Sequence, residues 1–192
     1  MAKGFEMAGF NQVCGLDWFK EAGMTYRENF SHPLIEGDIT QREIKDKFIN
    51  TVKEKLNGKN LTVLSGGFPC QGFSMSGNRI VEDKRNSLYK DMLEIIDELQ
   101  PEFIVAENVK GLVNLGDVKD IIQKDFASAD GNGYIVLPPK VLHAGNYGVP
   151  ETRERVIFIG IRKNALCQEA LVALESPSVP PDYDPYPKPT HA

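Results

Sequence analysis

Apolar residues along the 192-residue chain follow two rhythms, short unbroken runs and a four-then-three spacing, and their alternation sets the fold expectation. The runs "QVCGLD" (12–17), "LTVLSGG" (61–67), "EFIVAEN" (102–108), "GYIVLPPKVL" (133–142) and "RVIFIGI" (155–161) predict strands. Leu88, Met92, Ile95, Ile96 and Leu99 fall at i, i+4, i+7, i+8 and i+11, one face of a helix; Val118, Ile121, Ile122 and Phe126 repeat that face on a shorter one. Unbroken apolar strands alternating with amphipathic helices predict an α/β fold with a largely parallel sheet, in which ligands collect at the carboxyl ends of the strands. Asp17, Cys70 and Glu107 lie at such ends.

Composition narrows the class. With 41% hydrophobic and 26% charged residues the chain can bury a sizeable core, and it has neither the polar bias of disorder nor a fibrous repeat. No apolar run approaches the roughly 20 residues that span a bilayer, and "MAKGFEMAGF" lacks the apolar centre of a signal peptide, so a cytoplasmic protein with no membrane partner is expected. Three cysteines, Cys14, Cys70 and Cys167, are an odd count without metal-ligand spacing, which predicts free thiols and no metal. A formal charge of -5 gives no general attraction to nucleic acid, so a polyanion partner would need a local basic patch or a basic region elsewhere.

Three stretches carry candidate chemistry. "GGFPCQGFSMSGNR" seats Cys70 on a glycine-flanked bend just after an apolar run; Pro69 stiffens the approach, and Gly66, Gly67 and Gly72 let backbone come close to a ligand. Ser74, Ser76, Asn78 and Arg79 make the following loop polar. A lone thiol can be simple packing, but this setting also suits a nucleophile, which needs a positive or helix-terminal environment to ionise. In "PEFIVAENVKGL", Glu107 and Asn108 end an apolar run: a carboxylate there tends to a raised pKa and can serve as a proton donor, or the two residues cap the next helix. "YGVPETRERVIFIG" places Arg153 and Arg155 two apart, on one face by strand periodicity, where they suit phosphates or a carbonyl oxygen, or form a solvated strand end with Glu151 and Glu154 as partners.

"GGFPCQGFSMSGNR" with "EDKRNSLY", then "PEFIVAENVKGL", then "HAGNYGVPETRERVIFIG", in this order, resemble the DNA cytosine-5 methyltransferases, from the first residues to about Gly160. The resemblance implies a Rossmann-like S-adenosylmethionine-dependent sheet with flanking helices and transfer of a methyl group to C5 of cytosine in DNA, S-adenosylhomocysteine being the by-product. Cys70 in the Pro-Cys-Gln position, followed by Gln71, would add to C6 of the ring and turn C5 into an enamine nucleophile. Glu107 would hold or deliver the proton at N3, and Arg155 would bind the ring O2 with Arg153 nearby on substrate or backbone. The target cytosine would be flipped from double-stranded DNA, with Ser74, Ser76, Arg79 and Arg85 as loop residues and Asn108 beside the base site.

For the cofactor, the resemblance puts Asp17 on the ribose hydroxyls, Trp18 on adenine, Asp38 at the adenine amino group, Ile39 as an apolar wall, and Pro69 and Leu88 in contact. By residue chemistry alone Trp18 also reads as core, Asp38 as a turn residue or helix cap, and Leu88 as helix packing. The similarity begins after the family's first strand and its Phe-x-Gly-x-Gly loop. It stops ahead of a target-recognition domain, with Glu151 in place of the usual Gln. The expected organisation is therefore an incomplete catalytic domain over 1–165 and a linker over 166–192, since "SPSVPPDYDPYPKPTHA" holds six of the twelve prolines. Such a chain would work with a recognition region or second subunit, in a bacterial or phage modification system. The alternatives are a non-catalytic remnant or split-enzyme part that binds cofactor or nucleic acid, and the tRNA cytosine-5 branch of the family.

Overall fold

A computed structural model describes residues 1–68, 88–114, 118–131 and 133–175. The chain divides into two units, Met1–Leu61 with Glu98–Gln100, and Thr62–Asp97 with Pro101–Ala192.

The first unit is built on a short parallel pair. β1 (Gly15–Asp17) and β2 (Leu34–Glu36) run in register Gly15↔Leu34 to Asp17↔Glu36, joined by helix α2 (Lys20–Asn29). Close helix–strand approach explains two glycines: a Cβ on Gly15 would lie 2.6 Å from the Tyr26 hydroxyl, and one on Gly23 would lie 2.9 Å from a Glu36 carboxylate oxygen. α1 (Ala2–Met7) precedes the pair and α3 (Arg42–Leu56) follows it. α3 buries Phe48, Ile49 and Val52 and ends at Asn57 in the left-handed conformation (φ 48), a common helix stop.

The second unit holds a five-stranded mixed sheet. β3 (Val63–Gly67) pairs parallel with β4 (Phe103–Val109), and β7 (Glu154–Arg162) runs antiparallel to β4. β5 (Tyr134–Val136) and β6 (Lys140–His143) each pair antiparallel with β7. The parallel expectation thus holds for β1–β2 and β3–β4, and β7 reverses direction. The single run expected over 133–142 forms two strands because Pro138 and Pro139 cannot supply ladder donors. α4 (Leu88–Leu99) and α5 (Val118–Ser128) form where their apolar spacing predicts. Met92, Ile96, Ile104, Ile122, Phe126, Val156 and Phe158 make the core of this unit, whereas Ile121, assigned to the same face of α5, is 49% exposed.

The expected linker over 166–192 needs correction at its start. Gln168–Glu175 is helix α6, as the helix-forming run "QEALVALE" permits; the proline-rich residues 176–192 lie outside the described residues. Among the described residues, no helix is long and apolar enough to cross a membrane and no His/Cys/Asp/Glu group could hold a metal ion.

Candidate active site

In the second unit, strand alternation aims two adjacent residues in opposite directions. Along β4 every second residue, Ile104, Ala106 and Asn108, is buried, which leaves Glu107 on the other face. Register places Glu107 opposite Gly67 at the end of β3 and opposite Ile157 of β7. Arg155, two residues from Ile157, therefore shares its face, and its Nε lies 2.8 Å from Glu107 Oε1. Arg153 Nη2 reaches the same oxygen at 3.5 Å. As strand periodicity predicts, both guanidiniums leave one side, and they converge on one carboxylate.

Exposure separates the three. Glu107 and Arg155 are 22% and 27% exposed in their side chains, whereas Arg153 is 49% exposed. Arg155 is further fixed by donating from Nη1 to the Glu154 carbonyl at 2.8 Å. Glu154 meets the arginine side chains through this carbonyl and not, as the solvated strand-end reading would have it, through its carboxylate. Its carboxylate takes Lys110 Nζ at 2.8 and 2.9 Å, and that bond holds its pKa below the usual carboxylate range. Lys110 was not singled out in the sequence, although its place two residues after Asn108 puts it just past the end of β4.

Asn108 is not a helix cap. It stays within β4, is only 2% exposed, accepts a bond from the Val109 amide at 2.8 Å, and donates from Nδ2 to the Phe68 carbonyl at 2.9 Å. Phe68 is the last described residue ahead of Pro69 and Cys70, so the buried amide anchors the backbone that leads to the thiol. Pro69, Cys70, Gln71, Ser74, Ser76, Arg79 and Arg85 lie outside the described residues. Leu88 is the first residue of α4 and is half-buried.

In the first unit, the carboxyl ends of the parallel pair bring Asp17 and Asp38 to one region. Asp17 closes β1, its carbonyl accepts the Gly37 amide at 3.0 Å, and its Oδ1 accepts the Phe19 amide at 2.9 Å. Trp18 is 75% exposed, so the core reading fails for it. Asp38 Oδ1 takes both the amide and the hydroxyl of Thr40 at 2.9 Å, a side-chain turn that satisfies the bland reading of this residue. Ile39 is half-buried. A cavity of about 510 Å³ opens beside Asp17, lined also by Lys3, Ala22, Thr25, Tyr26, Asn29 and Phe30, without Trp18 or Asp38. A second, of about 360 Å³ in the other unit, is lined by Asp97, Asp125 and Asp130 and by none of the candidate residues.

The family model of the C-5 cytosine-specific DNA methylases covers residues 1–190 of this chain. The chain belongs to that family. Type II methyltransferase M.BsuRI of Bacillus subtilis is 43% identical over 157 residues, covering 81% of this chain and 33% of that protein. M.DdeI of Desulfomicrobium norvegicum is 35% identical over 188 residues, covering 94% of this chain and 42% of its own. The methylase chain thus spans between one third and about two fifths of the length of these relatives. Among solved structures, an E. coli protein assigned as a prophage-encoded DNA modification methyltransferase superposes with TM-score 0.63 at 29% identity, over 84% of this chain and 44% of that one. A Spodoptera frugiperda DNMT2 structure superposes with TM-score 0.61 at 24% identity, over 85% and 47%, and supports the methylase fold alone.

Proposed function

We propose that this chain is the catalytic part of a DNA cytosine-5 methyltransferase of a bacterial or phage modification system, acting in the cytoplasm. The observation that carries the reading is the convergence of Arg155 and Arg153 on the Glu107 carboxylate, with Asn108 of the same strand anchoring the approach to Cys70. A thiolate added to cytosine C6 pushes an electron pair into the ring. Arg155 is suited to hold the O2 on which charge builds, and Glu107 to hold the proton at N3. Arg153, the more exposed guanidinium, is suited to the sugar–phosphate around the base. Because a stacked cytosine offers no face to a thiol, the target base is flipped, at a cost of a few kcal/mol.

S-adenosylmethionine, when bound, supplies an electrophilic methyl group. The residues present fit its nucleoside: an exposed indole at Trp18 can stack on adenine, and Asp17 stands at the end of a parallel strand where ribose hydroxyls are taken. Asp38, Ile39, Pro69 and Leu88 complete the proposed cofactor set, and Gln71, Ser74, Ser76, Arg79 and Arg85 the loop that closes on DNA. No metal enters this chemistry. The net charge of -5 gives no general pull on DNA, so the proposal includes a basic recognition region, in the same polypeptide or a second subunit. Residues 1–165 form the catalytic domain in this reading, and the proline-rich residues that follow α6 form the linker.

The test is methyl transfer from labelled S-adenosylmethionine to duplex DNA, followed by nucleoside analysis. Label in 5-methylcytosine supports the reading. Label in tRNA alone favours the tRNA branch, and cofactor binding without transfer to either marks a non-catalytic remnant.

A further inference from the structure

We propose that His143 is a positioning residue for Arg153, acting through the turn that its imidazole closes. The proposal rests on the functional reading above only for what Arg153 binds.

β6 ends at His143, and residues 144–153 carry the chain round to β7. The connection starts as a 3-10 turn over Ala144–Tyr147, whose first amides have no partner inside the turn. His143 Nδ1 accepts the Gly145 amide at 3.1 Å. That nitrogen therefore carries the lone pair and Nε2 the proton. The ring also lies tight against the turn: a Cβ on Gly145 would come 2.8 Å from His143 Cε1 and 3.0 Å from Nδ1, so any side chain there would push the imidazole aside. Gly148 in the left-handed region (φ 79) completes the turn, with the Val149 amide donating back to the Ala144 carbonyl at 3.3 Å.

The consequence falls on the two arginines unequally. Arg155 lies inside β7, in register with Leu142 on one side and Val109 on the other, so two ladders hold it. Arg153 precedes β7, and its carbonyl accepts the Ala144 amide at 2.8 Å, one residue from the imidazole cap. Losing the acceptor frees the Gly145 amide and the direction in which Ala144 leaves β6. The bond to Arg153 loosens next, while the Arg155–Glu107 pair stays. The imidazole thereby sets the guanidinium that meets the sugar–phosphate and spares the one that meets the ring.

Asn keeps an acceptor near the place of Nδ1, whereas Leu keeps bulk alone. In the intact protein, His143→Leu should raise KM for duplex DNA about fivefold or more with kcat within twofold, and His143→Asn should return KM to within twofold of native. Amide exchange at Ala144 and Gly145 should be at least tenfold faster in His143→Leu and native-like in His143→Asn. If His143→Leu does not fold, Gly145→Ala, which pushes the ring out of its seat, should reproduce the same KM rise. Native KM in His143→Leu, or an Asn variant that behaves as the Leu one does, overturns the proposal. Should the native protein transfer no methyl to DNA, the functional reading falls by itself. The exchange rates, with the Arg153 Nε–H resonance shifting in His143→Leu and not in His143→Asn, still decide whether the turn holds Arg153.

Discussion

Asn108→Leu removes the buried amide that joins β4 to the approach to Cys70, and the structure sets the size of the effect. Two bonds go, Nδ2 to the Phe68 carbonyl at 2.9 Å and Oδ1 from the Val109 amide at 2.8 Å, each worth about 1 kcal/mol net. Val109 is 44% exposed, so its amide regains water at little cost. The Phe68 carbonyl is half-buried and left without a donor, which adds about 1–2 kcal/mol, partly offset by the apolar side chain that Leu buries in place of the amide. The net loss should be about 2–3 kcal/mol, or about 4–12 °C in melting temperature for a chain of this size. Thermal or urea denaturation followed by circular dichroism measures it. Asn108→Asp, which keeps the size and the acceptor but sets a carboxylate oxygen against the Phe68 carbonyl, should be at least as damaging. A shift under about 1 °C in both variants would refute the claim that this amide anchors Phe68.

Glu107→Gln should lower methyl transfer at least ~100-fold while the dissociation constant for S-adenosylmethionine stays within about threefold, as isothermal titration would show; near-native turnover would remove Glu107 from the proton step. Trp18→Ala, at a side chain 75% exposed, should change stability by no more than about 0.5 kcal/mol yet weaken cofactor binding by about tenfold, the loss of one aromatic stack. Burial, with the Tyr89 hydroxyl bonded to Asp125 at 2.9 Å, pushes the Tyr89 pKa up to about 12. A pKa raised in the folded state means stability that is complete below the unfolded tyrosine value near 10 and is lost as pH rises through 12. Denaturation midpoints should therefore fall across that window, and less steeply in Tyr89→Phe.

Most of the framework was legible because apolar runs and helical spacing report burial directly. β3, β4, β7, α4 and α5 appear where those patterns put them. β2 did not register, since three residues, Leu34–Glu36, are too few to show a period. α3 carries a readable face in Phe48, Ile49 and Val52 that the sequence reading passed over. At the site, alternation on β7 sufficed to predict that Arg153 and Arg155 share a face. What it could not give is their common partner, because the register of β7 against β4 is a long-range fact. Trp18 turned out exposed, against its core reading, whereas the Thr40 turn at Asp38 is as local as a motif can be and is the turn role that residue chemistry gave it. His143 was missed because its capping role depends on a bend that only coordinates reveal, although a polar residue directly ahead of "AGNYG" was the available signal.

Whether Cys70 bonds to a cytosine whose developing charge Glu107 and Arg155 absorb is decided by mass spectrometry after incubation with S-adenosylmethionine and duplex DNA carrying 5-fluorocytosine. A denaturant-stable conjugate of protein, DNA and one methyl group should form, attached at Cys70 and absent from Cys70→Ser. A native protein that binds the DNA and the cofactor but leaves both unlinked, or a linkage that survives in Cys70→Ser, would contradict it.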